Sequence, residues 1–148
     1  MATPRTWTLL EKVKTHLQGI TTANGFASNV GPAATLEPAQ IPEDAGTALA
    51  VAMDALARPE DPAMRGVGHL FRFAIYAKVG TGQNDAQQKL HQLIADVTAR
   101  MADKAALLPT LPAGTQFPTF VEASVIPPVE GVRWIGAVVR YSAHISNR

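Results

Sequence analysis

The sequence predicts an α+β domain: a single mixed or antiparallel β-sheet with two α-helices packed on one face. Three observations carry that expectation. Two segments, near 3–20 and 84–101, place apolar residues at helical spacing. Two others, 68–79 and 132–145, alternate apolar and polar residues as strands do. Prolines and glycines separate these segments at short intervals.

The first helix opens at Thr3-Pro4, an N-cap residue followed by the residue best preorganised for the first helical position. Trp7, Leu10, Val13, Leu17 and Ile20 form its apolar face, Arg5, Glu11, Lys12 and Lys14 its polar one, and Gly19 and the Asn24-Gly25 turn end it. A short strand is expected over 26–30. Residues 31–46 hold Pro32, Pro38 and Pro42 with Glu37, Glu43 and Asp44, a composition that opposes helix and central strand and predicts a surface loop. Residues 47–54 alternate Leu49, Val51 and Met53 with alanines, a strand pattern whose alanines would also tolerate a helix.

Arg58-Pro59-Glu60-Asp61-Pro62 breaks that element, and Gly66-Val67-Gly68 leads into the clearest strand. Phe71, Phe73, Ile75, Ala77 and Val79 share one of its faces; Arg72, Tyr76 and Lys78 point the other way. After Gly80-Thr81-Gly82 a second helix begins near Asn84, with Ala86, Leu90, Leu93, Ile94, Val97 and Met101 as its apolar stripe and Asp96 and Arg100 paired on its outer side. Residues 107–114 are too proline-rich for a helix and on the surface would expose Leu107, Leu108 and Leu111. Residues 117–126 alternate Thr119, Val121, Ala123 and Val125 against Phe120, Glu122 and Ser124 before Pro127-Pro128 turns the chain. The last strand sets Ile135, Ala137, Val139, Tyr141, Ala143 and Ile145 against Trp134, Val138, Arg140 and His144.

The length of 148 residues fits one domain, 1–148, able to bury roughly two thirds of its unfolded surface. With 47% hydrophobic and 17% charged residues the chain is expected to fold. Thirteen Lys and Arg against twelve Asp and Glu give a net charge of +1, too little to hold a polyanion by counterion release. The absence of cysteine excludes disulfides, thiol nucleophiles and Cys-ligated zinc. No apolar run approaches the roughly 18 residues of a membrane span, and Glu11, Lys12 and Lys14 stand where a signal peptide would be apolar. The expectation is a protein made and kept in a cytoplasm, with no membrane partner.

No motif brings catalytic, cofactor or metal chemistry with it. Gly80-Thr81-Gly82-Gln83-Asn84-Asp85 lies between a strand and a helix, but Asp85 puts a negative group where a phosphate would sit and no Gly-Lys-Ser/Thr follows, so a tight turn is expected. His16, His69, His91 and His144 lack partners at metal-ligand spacing, and His16 and His91 are placed on outer helix flanks. Glu43-Asp44 and Glu60-Asp61 are adjacent carboxylates whose side chains diverge, unsuited to acid–base work across one bond.

Other residues read as contact surface. Arg58, Asp61 and Arg65 make a charged loop suited to a subunit interface; Leu108 and Leu111 are apolar loop residues; Trp134, Val138 and Arg140 lie on the sheet face away from the helices, which is more apolar than solvent requires. Arg133, Arg140 and Arg148 make the C-terminal segment the most basic stretch, without the groove-reading helix or aromatic set of a nucleic-acid binder.

The order of elements resembles that of the tail terminator proteins of long-tailed bacteriophages, the lambda-like minor tail proteins. The carriers are the opening Trp7-Thr8-Leu9-Leu10-Glu11-Lys12-Val13 helix, the Phe71-Arg72-Phe73-Ala74-Ile75 strand, the helix from 85 to 101 and the closing strand from Gly131-Val132-Arg133-Trp134 to Tyr141. The resemblance implies a non-enzymatic virion assembly protein without cofactor. It would form a homo-hexameric ring at the head-proximal end of the tail, cap the tail tube protein, end its polymerisation and present a surface to the head–tail connector. DNA would pass through the ring without specific binding, and assembly would take place in the bacterial host cytoplasm. The near-neutral charge agrees with such a ring, and the loops at 31–46, 56–66 and 107–117 would contact its neighbours above and below. The Ala-rich segment 45–57 is a poorer strand than this family's sheet would want. No functional residue is transferred from the family, which offers no motif to match position by position. A ring-forming head–tail joining protein of the neck is the alternative, and a monomeric ligand-binding α+β module a further one.

Overall fold

Alternating apolar residues make the centre of the molecule. The computed structural model describes residues 3–41, 46–64, 66–82, 84–127 and 129–146. Phe71, Phe73, Ile75, Ala77 and Val79 on β3 (Gly68–Gly80) and Ala137, Val139, Tyr141, Ala143 and Ile145 on β5 (Trp134–Ser146) are all buried on one face of the sheet. These strands pair antiparallel along their whole length, from Gly68 opposite Ser146 to Gly80 opposite Trp134. β2 (Thr47–Ala57) flanks β3, and β4 (Thr119–Ile126) flanks β5, both antiparallel. A two-residue β1 (Ala34–Thr35) adds parallel to β2 at Leu49 and Ala50, so the order is β1-β2-β3-β5-β4 and the sheet is mixed.

Two helices cover the buried face, α1 (Arg5–Leu17) over β2 and α2 (Ala86–Met101) over β3 and β5. Leu9, Leu10, Val13, Leu17, Leu90, Leu93, Val97 and Met101 close the core against the sheet. The single-sheet α+β architecture expected from the sequence is the one observed. A third helix, α3 (Lys104–Leu107), is one turn long and is capped by Asp103, whose carboxylate accepts the Ala106 N–H at 3.2 Å.

The structure corrects several local expectations. Pro4, not Thr3, is the N-cap of α1, without a side-chain cap bond. Trp7 is exposed, while Leu9 and His16 are buried in its place, because the buried face is set by α2. His16 Nε2–H donates to Arg100 O at 2.6 Å, and Arg100 Nε–H donates back to His16 O at 2.8 Å, tying the C-terminal ends of the two helices together. Burial pushes the His16 pKa below its ordinary value, against the opposing pull of that bond. Asp96 does not pair with Arg100 on an outer face; it is 6% exposed and accepts hydrogen bonds from Ala27 N (3.1 Å), Ser28 N (3.0 Å) and Ser28 Oγ (2.7 Å). That carboxylate takes the backbone donors a strand at 26–30 would have used, and no strand forms there. The 31–46 segment contains β1 and 3₁₀ turns at Gly31–Ala33 and Pro38–Gln40; Pro42, Glu43 and Asp44 lie outside the described residues. Residues 107–114 do not expose three leucines. Leu107 ends α3 fully buried, Leu111 packs half-buried against the core, and only Leu108, in the 3₁₀ turn Leu108–Thr110, is exposed. The poor strand at 47–54 is a full one reaching Ala57, since the alanines pack where larger side chains would not fit: Ala48 and Ala50 are buried on the face opposite Leu49 and Val51.

Candidate functional site

The sheet face turned away from the helices gathers the charged residues of four strands. At its centre Arg140, on β5, has Nε 3.6 Å from Asp54 Oδ2 and Nη1 3.3 Å from Glu122 Oε1, and Nη1 also donates to Ser124 Oγ at 3.1 Å. Glu122 and Ser124 come from the adjacent β4. Asp54 comes from β2, and Arg140 reaches it across β3 at Ala74, a small residue directly opposite Arg140. Two strand irregularities aim the carboxylates: the pairing shifts between Met53 and Ala55 on β2 and between Phe120 and Glu122 on β4. Arg72 lies 3.7 Å from Glu60 in the loop after β2. Loop and sheet enclose a groove of about 630 Å³, lined by Asp54, Glu60, Arg72, Arg140, Ser142 and His144.

This groove is electrostatically self-satisfied. Each guanidinium faces a carboxylate, which leaves little positive potential to attract an anion. Among the described residues no group of three or more His, Asp or Glu is arranged to hold a metal ion. His144 Nε2 is buried without a hydrogen-bond partner among the described residues, its ring against the backbone of Gly68.

At the other end of the same face Trp134 folds back onto the sheet. Its ring lies over Gly136, where an added Cβ would stand 2.9 Å from the indole, and the Lys78 ammonium sits 5.0 Å from the ring centroid. Val138, between Tyr76 and Ser124 on the neighbouring strands, is only 6% exposed.

Exposed apolar residues gather at the sheet edges. All of β4 except Ile126 is exposed, with Phe120 at 50%, Val121 at 54% and Val125 at 63%, and β4 pairs with β5 on one side only. Phe120, Ala123 and Val125 face the helical side. A row of rings runs from the core out to this edge: Phe71, Phe73 and Tyr141 stack at centroid distances of 5.9 and 5.8 Å, and Phe120 meets Tyr141 edge-on at 5.8 Å. Burial raises the Tyr141 pKa to about 12. Beside the last pair an apolar hollow of about 290 Å³ opens between Met101, Phe117, Phe120 and Tyr141. At the opposite edge β1 covers β2 only at Leu49 and Ala50, and Met53 (58%) and Leu56 (50%) project beyond it.

The contact residues expected from the sequence are therefore dispersed. Arg140 and Asp61 line the groove, and Arg58 stands exposed just after β2. Asp61 accepts the Ala63 N–H at 2.9 Å and Glu60 pairs with Arg72; Arg65 lies outside the described residues, as does Arg148. Leu108 and Leu111 are on the helical side, and Trp134 and Val138 are occupied within the chain. The exposed residues of β4 and β2 were not singled out by sequence reasoning. The signal was present in 117–126, where apolar residues occupy both faces of a strand bounded by Pro118 and Pro127.

No protein-family model matches the chain, and no curated protein sequence matches it. Among solved structures it is similar to a chain in the virion of a native gene transfer agent (GTA) particle, with a TM-score of 0.55 and 18% sequence identity. The likeness covers 91% of this chain and 92% of that one, and it establishes a shared fold over nearly the whole length.

Proposed function

We propose that this protein is a structural component of a phage-like virion, a tail terminator that assembles as a homo-hexameric ring on the head-proximal end of the tail tube. The ring ends polymerisation of the tube protein and offers its other side to the head–tail connector, and DNA passes through it without specific binding. The observation that carries the reading is the end-to-end fold likeness to a chain of a virion particle, two chains of matching extent. Two features of the molecule support it. Its open sheet face spends its charges on internal pairs, as suits a surface that must not grip a polyanion, and the exposed apolar residues Met53, Leu56, Phe120, Val121 and Val125 lie on the two outer strands, where a neighbouring subunit can meet them. The reading makes the protein non-enzymatic.

Native mass spectrometry over a concentration series, of the protein alone and then with the tail tube protein, tests the proposal. A species at six times 15.7 kDa supports it. A strict monomer under both conditions overturns it and favours a ligand-binding module, with the 630 Å³ groove as the place to search.

A further inference from the structure

The chain carries two open strand edges, and they differ. Among the described residues, one is the outer side of β4, Thr119–Ile126; the other is the end of β2 beyond β1 and the Pro38–Gln40 turn that packs on β2, residues 53–57, where Met53 and Leu56 are exposed. We propose that these edges are the two halves of one subunit interface: β4 of each copy adds antiparallel to β2 of the next, extending the sheet from subunit to subunit. The inference deepens the ring reading and rests on it.

Strand direction permits this pairing. β2, β3, β5 and β4 alternate in direction, so β4 runs opposite to β2 within one chain. A rotation about an axis roughly along the strands preserves directions. It therefore sets β4 of one copy antiparallel to β2 of the next and keeps all helices on the same side of the joined sheet.

Face parity restricts the register to shifts of two residues, and burial of the largest exposed side chains selects among them. On β2, Met53 and Leu56 lie on the helical side, opposite Phe73 and Phe71, while Ala55 and Ala57 lie on the open side, opposite Arg72 and Leu70. On β4, Ala123 and Val125 lie on the helical side, and Glu122 and Ser124 on the open side. Placing Met53 against Val125 sets Ala55 against Ser124, Leu56 against Ala123 and Ala57 against Glu122, with Asp54 left unpaired at its bulge. Every pair then shares a face. Apolar meets apolar on the helical side, and small or polar residues meet on the other.

A two-fold pairing of β4 with itself is the competing occupant. It brings two Glu122 side chains together near the strand's midpoint and leaves Met53 and Leu56 uncovered, whereas the head-to-tail pairing covers both patches.

The chain has no cysteine, so thiols can be placed at will. Met53→Cys and Val125→Cys change exposed side chains, and circular dichroism with thermal melting verifies that each variant folds. The variants are treated, alone and mixed, with a thiol reagent spanning about one strand spacing, in the oligomer formed alone or on the tube protein. The expected result is a covalent dimer only in the mixture, and a ladder up to six from the double variant. In parallel, Val125→Lys or Met53→Glu alone weakens the contact ~30-fold or more, and the two together restore it. A hexamer in which Met53→Cys and Val125→Cys fail to join, or in which Val125→Cys joins to itself, overturns the edge pairing and leaves the ring reading standing. A monomer in every condition overturns the ring reading and this inference with it.

Discussion

Asp96→Ala removes a buried side chain that ties α2 to the segment after α1. The carboxylate is 6% exposed and holds the Ala27 N–H, the Ser28 N–H and the Ser28 hydroxyl at 3.1, 3.0 and 2.7 Å. Hydrogen bonds to a charged acceptor contribute about 1.5–3 kcal/mol each, less than additively when they share one group. The hydroxyl can turn to water after the substitution, but the two backbone donors are fixed by the fold and lose their acceptor. The expected loss is about 3 kcal/mol, or roughly 10 °C in melting temperature for a chain of this length. Asp96→Asn keeps one acceptor oxygen and turns an NH₂ group toward an N–H, for an expected loss of about 2 kcal/mol. Ser28→Ala combined with Asp96→Ala in a double-mutant cycle gives a coupling of about 1 kcal/mol. Urea unfolding at constant m-value measures each. If Asp96→Ala falls within about 0.5 kcal/mol of the parent, the range of ordinary surface changes, the carboxylate does not hold that segment and the reasoning fails.

Four more outcomes follow from single contacts. His16 is held neutral by burial while the unfolded chain titrates at its ordinary value of 6.5, so its contribution is complete above that pH and is lost as pH falls toward the lower folded value; His16→Gln flattens this slope in denaturation series between pH 7 and 5. Gly136→Ala puts a Cβ under the Trp134 ring and against Ala77 O, which displaces the indole and changes the tryptophan fluorescence while costing about 1–2 kcal/mol. Arg140→Ala releases Asp54 and Glu122 from a one-third-exposed network at a cost of about 1 kcal/mol, and the difference from the parent shrinks in 1 M salt. Val138→Lys buries a charge without a partner and lowers stability by about 3 kcal/mol before it affects any assembly, whereas Val125→Lys leaves the melting temperature within a few degrees.

How much of this was legible depended on whether local pattern and tertiary demand agreed. β3 and β5 are central strands with one face under the helices, so every second residue had to be apolar and the alternation read directly. The stripe of α2 read for the same reason. In α1 the large Trp7 counted toward an apolar face, yet it is exposed while Leu9 is buried, and His16 is buried because the Arg100 backbone offers it a partner found 84 residues away. Asp96 read as a solvated helix residue because its partners come from a segment 68 and 69 residues distant whose own pattern imitates a strand. In the candidate surface, Arg140 was picked out correctly as a residue of the open face, but its neutralisation from both sides depends on two bulges that no composition announces. Trp134 and Val138 were the apolar candidates by residue type; the fold shows what the sequence could not, that the Trp134 ring lies half-buried over Gly136 beside Lys78 and that Val138 is only 6% exposed.

The edges themselves are the strongest physical reason to treat the chain as a subunit. Strand edges in monomers are blunted by outward charges, prolines, bulges or a covering segment. β4 has a bulge and a charge, but Arg140 draws Glu122 inward onto the sheet face, so that charge does not guard the edge; Pro118 and Pro127 bound the strand without interrupting it. On the far side β1 pairs with β2 at two positions and the Pro38–Gln40 turn packs beside it, Val51 is buried, and the later helical-side residues Met53 and Leu56 are the ones left in solvent. A monomer gains nothing from guarding half of one edge while leaving a strand of matching length open at the other. A subunit that passes one edge to the next copy needs that asymmetry, since a head-to-tail contact requires two different surfaces, each left free by its own chain.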